Sequence, residues 1–525
     1  MDRLKKKFQL KESRVLLDYR LFVVLFIYIV LGVFIFSYYQ YQINPDGIGY
    51  ITTALSYMSG NFYGSISDYW GPLLSWLLIP LLFFGHTPLA GLHATKILSL
   101  ILGFCTIIGV RQFSYRFEMD ELIRTVILFI LVPVVLYFAF SVITPDLLMV
   151  CVVVYYLTII FDINYPNKLL NGILCGILGA LAYLTKSYGF TFFISSFFIL
   201  NVCQYFIDLD VVRRRNIVKN CVLGFVIFLM ISGVWIGLIS FKDKKFTIGT
   251  AGESNHALMG PESLGFPEYF QGIHKPGQYT SSYLPKAWSP FKSWNNFNYQ
   301  LSLIWANTIK TGYIFNYFSF LSFIIILAYI IIFITQSSRL SQNQILYPLI
   351  ILIISTGGYM MITVEERYLW MIYILLMFMG GYLINLIFKQ DYFSKTRFSS
   401  IIKIMILMIF AFSFVFMPIN YLVENVHTHE NIYKLSETLN QYGIHGNVAS
   451  NDELLNMNYL AYYMNITSYG QAKKNISSKE LQNELKNYGI DYYFIWNNSN
   501  QNSYMAGYKE VTNNNIPNLK IYSIK

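Results

Sequence analysis

Long apolar runs separated by short polar turns begin at Leu21 and recur as far as Tyr421. A run such as Leu21–Tyr39 is long enough to cross a bilayer, which takes about 20 residues at ~1.5 Å rise each. In hydrocarbon every backbone polar group must find its partner inside the segment, so such runs have to be helices. The composition agrees, with 55% hydrophobic residues and only 13% charged, far below the charge content of soluble proteins. The chain therefore reads as an all-α polytopic membrane protein. The net charge of +10 does not indicate a nucleic-acid partner, because the basic residues sit mainly in short connections between apolar runs. All five cysteines lie in or beside apolar runs, which argues against a disulfide framework or a zinc cluster. Leu21–Tyr39 is too long for a cleavable signal, and no small-residue cleavage site follows it.

Charge bias orients the runs. Arg3, Lys5, Lys6, Lys7, Lys11, Arg14 and Arg20 precede the first run and place the N-terminus in the cytoplasm. Leu73–Phe84 is too short for a comfortable crossing and reads as an outer juxtamembrane or re-entrant helix. Leu89–Val110 then goes inward and leaves Arg111, Arg116 and Arg124 inside. Crossings follow at Thr125–Phe140, Leu147–Phe161, Leu169–Thr185, Tyr188–Phe206, Cys221–Phe241, Ile314–Thr335, Ile345–Thr363, Leu369–Phe388 and Ile404–Tyr421. Arg213-Arg214-Arg215 mark one cytoplasmic loop, and Lys389, Lys395, Arg397 and Lys403 another. The expectation is about eleven spans over residues 1–423, with outer loops at 40–88 and 242–313. From Glu424 the hydrophobicity collapses. Helix-like Ile432–Tyr442 and Lys479–Tyr488 and strand-like Asn447–Ser450, Tyr492–Trp496 and Lys520–Ile524 predict a small extracytoplasmic α/β domain over 424–525.

This topology gathers ionisable residues on the outer face. Asp46 sits in Asn44-Pro45-Asp46-Gly47, where Pro45 fixes φ and Gly47 relaxes it. Asp68, Thr144-Pro145-Asp146, Lys186, the Glu253/His256 loop and Glu365-Glu366-Arg367-Tyr368 share that face. Each has a structural alternative. Asp46 and Asp146 can serve as helix caps, Lys186 can snorkel from a span end, and Arg367 can bridge to a neighbouring glutamate. Together they suit a lipid whose phosphate lies at headgroup depth. Arg binds phosphate through a bidentate fork and Lys as a point charge. A nearby carboxylate can take a proton from an incoming hydroxyl, as glycosyl transfer from a polyprenyl-phosphate sugar requires. No Rossmann, Walker or HExxH motif supports a nucleotide or zinc-protease site. A flippase or transporter of lipid-linked or sugar substrates also gathers charges in a membrane cavity. Such a protein keeps them at mid-membrane, whereas here they stand at span ends, and no internal repeat is apparent.

Four features in order resemble the GT-C membrane glycosyltransferases, the group that holds the protein O-mannosyltransferases and the lipid A aminoarabinose transferases. They are Asp46 after the first span with Tyr50, Tyr69 and Pro72-Leu73; Phe84-Gly85; Thr144-Pro145-Asp146-Leu147 with Gly179 to Lys186; and Glu366-Arg367-Tyr368. The resemblance covers roughly residues 15–390. It implies an inverting transfer from a polyprenyl-phosphate-linked donor, with Asp46 as general base, Asp146 assisting, and Lys186 and Arg367 near the lipid phosphate. Tyr50, Asp68, His256, Glu366 and Tyr368 join them as expected substrate-binding residues. A divalent metal ion stays open as a cofactor, and a glycan, lipid or protein stays open as the acceptor. Asp46 is followed by Gly47 rather than a second acid, and Asp68-Tyr69-Trp70-Gly71-Pro72 stands where the aminoarabinose transferases carry Glu-Lys-Pro-Pro.

Overall fold

The computed structural model describes residues 18–263, 271–276, 286–335, 342–390, 399–497 and 499–525. The basic residues from Arg3 to Arg14, and Lys395 and Arg397, lie outside them. Helix α1 (Tyr19–Tyr39) is followed by α2 (Pro45–Met58) and the short α3 (Leu73–Leu82), then by α4 (Pro88–Ser114), α5 (Glu121–Ser141), α6 (Asp146–Ile160), α7 (Leu170–Thr185) and α8 (Tyr188–Ile207). Next come α9 (Val211–Asp243), α10 (Ala251–Leu258), α11 (Trp294–Phe318), α12 (Ser322–Thr335), α13 (Gln342–Met360), α14 (Trp370–Phe388) and α15 (Ser399–Glu424). Seven of these are long and apolar enough to cross a membrane, or eight if the pair α11 and α12 counts as one. The three crossings expected at α6, α7 and α13 are shorter apolar helices, so the count of eleven is not fixed by helix length. Helix α3, expected as an outer juxtamembrane or re-entrant segment, is 10 residues long.

Two expectations change. One span over 314–335 was expected, but the chain bends by 105° between α11 and α12. At the break Ser319 is extended, and its hydroxyl accepts from Leu321 N at 3.1 Å and pairs with Ser413 Oγ at 2.8 Å. A hydroxyl that satisfies the freed backbone lets a helix end inside an apolar run. From Trp294 onward the expected outer loop is thus helical. Arg213-Arg214-Arg215, expected in a loop, belong to the first turns of the 33-residue α9, whose N-terminus Asp210 caps through Val212 N and Arg213 N.

The bundle has two electrostatically distinct ends. At one, where α1 and α5 begin and α4 ends, Arg20 and Arg124 pair with Glu121 at 3.0 and 3.3 Å, and Arg111 joins Glu121 to Asp18. The opposite end, where α1 and α5 finish and α6 begins, carries Asp46 and Asp146.

The C-terminal domain holds α16 (Glu430–Gln441), β1 (Asn447–Ser450), α17 (Leu454–Met464), β2 (Thr467–Gln471), α18 (Ser478–Asn487), β3 (Tyr492–Trp496), β4 (Lys509–Glu510) and β5 (Leu519–Ser523). The sheet runs β2-β1-β3-β5-β4, with β1 parallel to β2 and β3 and β5 antiparallel to β3. One face of the sheet, with Val448, Phe494, Leu519 and Ile521, joins the buried cluster of the bundle, and α17 makes the contact with α2 and α4. The seating is specific. Ile43 N donates to His429 Nδ1 at 3.3 Å, Tyr463 OH to Tyr41 O at 3.0 Å, and Tyr462 OH to Pro88 O at 2.6 Å. The domain therefore rests on the turn that leads into Asp46.

Candidate active site

The Asp46 turn is built by side chains rather than by backbone freedom. Helix α2 starts at Pro45, whose fixed φ suits a first helical position. Asn44 is the N-cap residue but makes no cap bond. Its amide instead clips the neighbouring turn, accepting from Ile143 N at 2.9 Å and donating to Ile143 O at 3.2 Å. Gly47 lies within α2, and a Cβ there would stand 2.8 Å from Ile143 Cβ. Close approach, rather than a relaxed φ, is why glycine is needed. The clip brings the Asp46 and Asp146 turns together.

Both aspartates sit in first helical turns, yet neither side chain caps its helix. Arg367 Nη1 donates to Asp46 Oδ2 at 2.7 Å, and Lys186 Nζ donates to Asp146 Oδ1 at 2.9 Å. Arg367 Nε bonds Glu365 Oε2 at 2.6 Å and stands 3.9 Å from Asp146 Oδ2. Arg367 thus makes the local bridge to Glu365 and also spans both aspartates. Asp146 is 4% exposed, Lys186 21% and Asp46 30%, so of the two aspartates Asp46 is the one that faces open space. Lys186 does not snorkel. Its Nζ lies 3.5 Å from the centroid of the Tyr368 ring and 5.4 Å from that of Tyr359, and those two rings stack at 4.7 Å. Burial pulls the Lys186 ammonium below the ordinary lysine value, against the pull of Asp146 toward the charged form. A close backbone contact fixes the Lys186 turn from outside, since a Cβ on Gly71 would fall 2.3 Å from Thr185 O.

Beside this cluster opens a cavity of about 470 Å³, whose lining includes Asn44, Asp46, Tyr137, Glu365, Glu366, Arg367, Trp370 and Tyr421. Glu366 accepts from Tyr137 OH and from Trp370 Nε1, each at 2.7 Å. Its carboxylate is therefore fixed between two aromatic walls. Tyr50 is buried edge-on to Trp70 at 5.0 Å. Burial, aided by Asp46 and Asp146, raises its phenol well above the usual tyrosine range.

Two expected residues stand apart. The Asp68 carbonyl accepts from Thr250 N at 2.8 Å, and its carboxylate lies beside Asp243 rather than in the cluster. His256 stacks on Trp288 at 4.3 Å and bonds Gln300 at 2.9 Å. Glu253 pairs loosely with Lys245 at 3.9 Å. Among the described residues, no group of three His, Cys, Asp or Glu side chains converges as a metal site. Tyr137, Tyr359 and Trp370 escape a sequence reading, because an aromatic inside an apolar run looks the same whether it lines a cavity or a core.

No family model matches the chain, and no curated protein matches it in sequence. Its fold is nevertheless similar to that of ArnT from Cupriavidus metallidurans bound to undecaprenyl phosphate, with a TM-score of 0.58 at 11% identity over 95% of this chain and 97% of that one. The apo state of ArnT matches with a TM-score of 0.58 at 12% identity, over 96% and 98% of the two chains. The archaeal oligosaccharyltransferase AglB from Archaeoglobus fulgidus, in complex with an inhibitory peptide and a dolichol-phosphate, gives 0.52 at 10% identity, over 93% of this chain and 71% of that one. At these identities the likeness is one of fold. The chain has the GT-C fold.

Proposed function

We propose that the protein is a multi-pass membrane glycosyltransferase that moves a sugar from a polyprenyl-phosphate-linked donor to an acceptor hydroxyl outside the cytoplasm. One observation carries this reading. Asp46, Asp146, Lys186 and Arg367 come from four distant segments and form one ion-pair network. That network borders a cavity in a fold shared with two proteins described with lipid phosphates. Asp46 Oδ2 is held by Arg367, so Oδ1 is the oxygen placed to take the acceptor proton. The acceptor oxygen then bonds to the anomeric carbon as the bond from that carbon to the phosphate oxygen breaks. The electron pair leaves with the lipid phosphate, whose charge Lys186 and Arg367 stabilise. Attack opposite the leaving phosphate inverts the anomeric centre. Asp146 keeps Lys186 charged and in place. Glu366 and the Tyr137 and Trp370 rings offer hydroxyl acceptors and apolar walls to a sugar.

Arg367→Lys tests the phosphate role. Lysine keeps the charge but loses the fork, so it cannot hold Asp46, Glu365 and a phosphate together. The Michaelis constant for a polyprenyl-phosphate sugar should rise by about tenfold, an energy of ~1.4 kcal/mol. Unchanged donor kinetics would make Arg367 purely structural.

Sidedness has its own test. In a cysteine-free background, Ser59→Cys on the exposed end of α2 and Asn500→Cys in the C-terminal domain should both react with an impermeant maleimide in intact cells. Protection of either until lysis would overturn the outward orientation.

A further inference from the structure

The arginine loop is held from outside by a part of the chain that takes no part in the proposed chemistry. Between the end of α13 and Glu366 runs a short connection, residues 361–365. Successive carbonyls at its start are gripped by amide side chains of α11. Asn307 Nδ2 donates to Met360 O at 3.0 Å and to Ile362 O at 3.2 Å, and Gln300 Nε2 donates to Met361 O at 2.8 Å. Met360 O is among the carbonyls that the end of α13 leaves without an intrahelical partner, and Met361 and Ile362 follow it directly. Asn307 is 7% exposed, so its bonds are sheltered from water. Gln300 is fixed in turn, because its Oε1 bonds His256 Nε2 at 2.9 Å while His256 stacks on Trp288. Trp288 Nε1 closes the ring by donating to His256 O at 2.8 Å.

The placement of α11 gives the grip a fixed base. It turns 105° from α12, so if α12 crosses the bilayer, α11 runs along the surface. Trp294, Leu301, Trp305 and Ile309 recur at helical spacing and are exposed, and aromatic side chains of this kind favour the membrane–water interface. The face bearing Asn307, Thr311 and Ile314 is buried toward the protein. With α12 across the bilayer, one side of the helix would meet lipid, while another holds the chain five residues before Arg367.

We infer that Asn307 and Gln300 are positioning residues for Arg367, and that His256 acts through Gln300 rather than on substrate. The inference rests on the proposed role of Arg367 at the lipid phosphate. In this arrangement α11 sets the depth and direction of the guanidinium relative to the headgroup layer.

The test is a double-mutant cycle on the full chain in detergent with lipid, using a short-chain polyprenyl-phosphate sugar as donor. Asn307→Leu keeps the volume and removes the donors. It should raise the donor Michaelis constant by about tenfold or more, since misplacement of a binding group by ~1 Å can cost 10²-fold, while kcat falls less. In an Arg367→Gln background the same substitution should have almost no further effect, because the group it positions is gone. Asn307→Gln, which restores an amide donor, should recover part of the loss. Gln300→Leu, at a half-exposed site, provides the same cycle if Asn307→Leu does not fold. Effects that multiply fully in the double variant would overturn the inference. Arg367→Gln with wild-type donor kinetics would instead overturn the phosphate reading, so the two failures are distinct.

Discussion

Asp46→Asn is expected to lower turnover by about 10²–10⁴-fold, the range that general-base assistance supplies. Asparagine has the same shape and fits the first turn of a helix, so the turn at Pro45 should survive. Arg367 keeps its 2.6 Å bond to Glu365, so the donor should still bind. What is lost is a carboxylate to receive the proton of the acceptor. The measurement is single-turnover transfer from a radiolabelled lipid donor, with donor affinity read separately. The deficit should shrink with acceptors whose hydroxyl is more acidic, because they need less help in losing the proton. Asp146→Asn should cost less turnover at saturating donor. If Asp46→Asn runs at wild-type speed and Asp146→Asn does not, the base is Asp146.

The second large effect concerns stability. Lys186→Met leaves the Asp146 carboxylate buried with only Arg367, 3.9 Å away, as a counter-charge. Breaking a buried pair by removing one partner typically costs about 3–5 kcal/mol, because the other charge stays desolvated. Lys186 is 21% exposed, which points to the low end of that range. The detergent-solubilised variant should therefore melt several degrees below wild type and lose donor binding. Adding Asp146→Asn removes the stranded charge. The double variant should regain most of the thermal stability and none of the donor binding. A Lys186→Met protein as stable as wild type would mean that Asp146 is held by other groups.

The apolar spacing was enough to define the helices, because crossing hydrocarbon leaves a chain few options. Charge bias grouped Asp46, Asp146, Lys186 and Arg367 on one face, and they meet at one end of the bundle. Pattern failed where an apolar stretch ends for a tertiary reason. The Ser319 break depends on Ser413, which lies 94 residues away, and nothing local announces it. Asn44 was in plain view, but its partner Ile143 could be found only in three dimensions. His256 drew attention as a titratable residue in a polar loop, but nothing in the pattern announced its bond to the plain amide Gln300 or the grip of Asn307 on Met360 O. In the C-terminal domain the strongly patterned elements were legible. Helix α17 and strand β2 were not, since Leu454–Met464 mixes asparagine and tyrosine with its apolar residues and Thr467–Gln471 is mostly polar, neither with a clear period.

The seating of the C-terminal domain on the Asp46 turn fixes an order of events in the making of the protein. Ile43 leaves the ribosome well before its partner His429, which follows 386 residues later. At about 5–20 residues per second, that separation is a wait of roughly 20–80 s. During it the turn has neither its roof nor Arg367, which arrives 321 residues after Asp46. The nascent chain can therefore be threaded into the bilayer span by span while its ion-pair corner is still unassembled. The corner is completed only after both Arg367 and the C-terminal domain have been made.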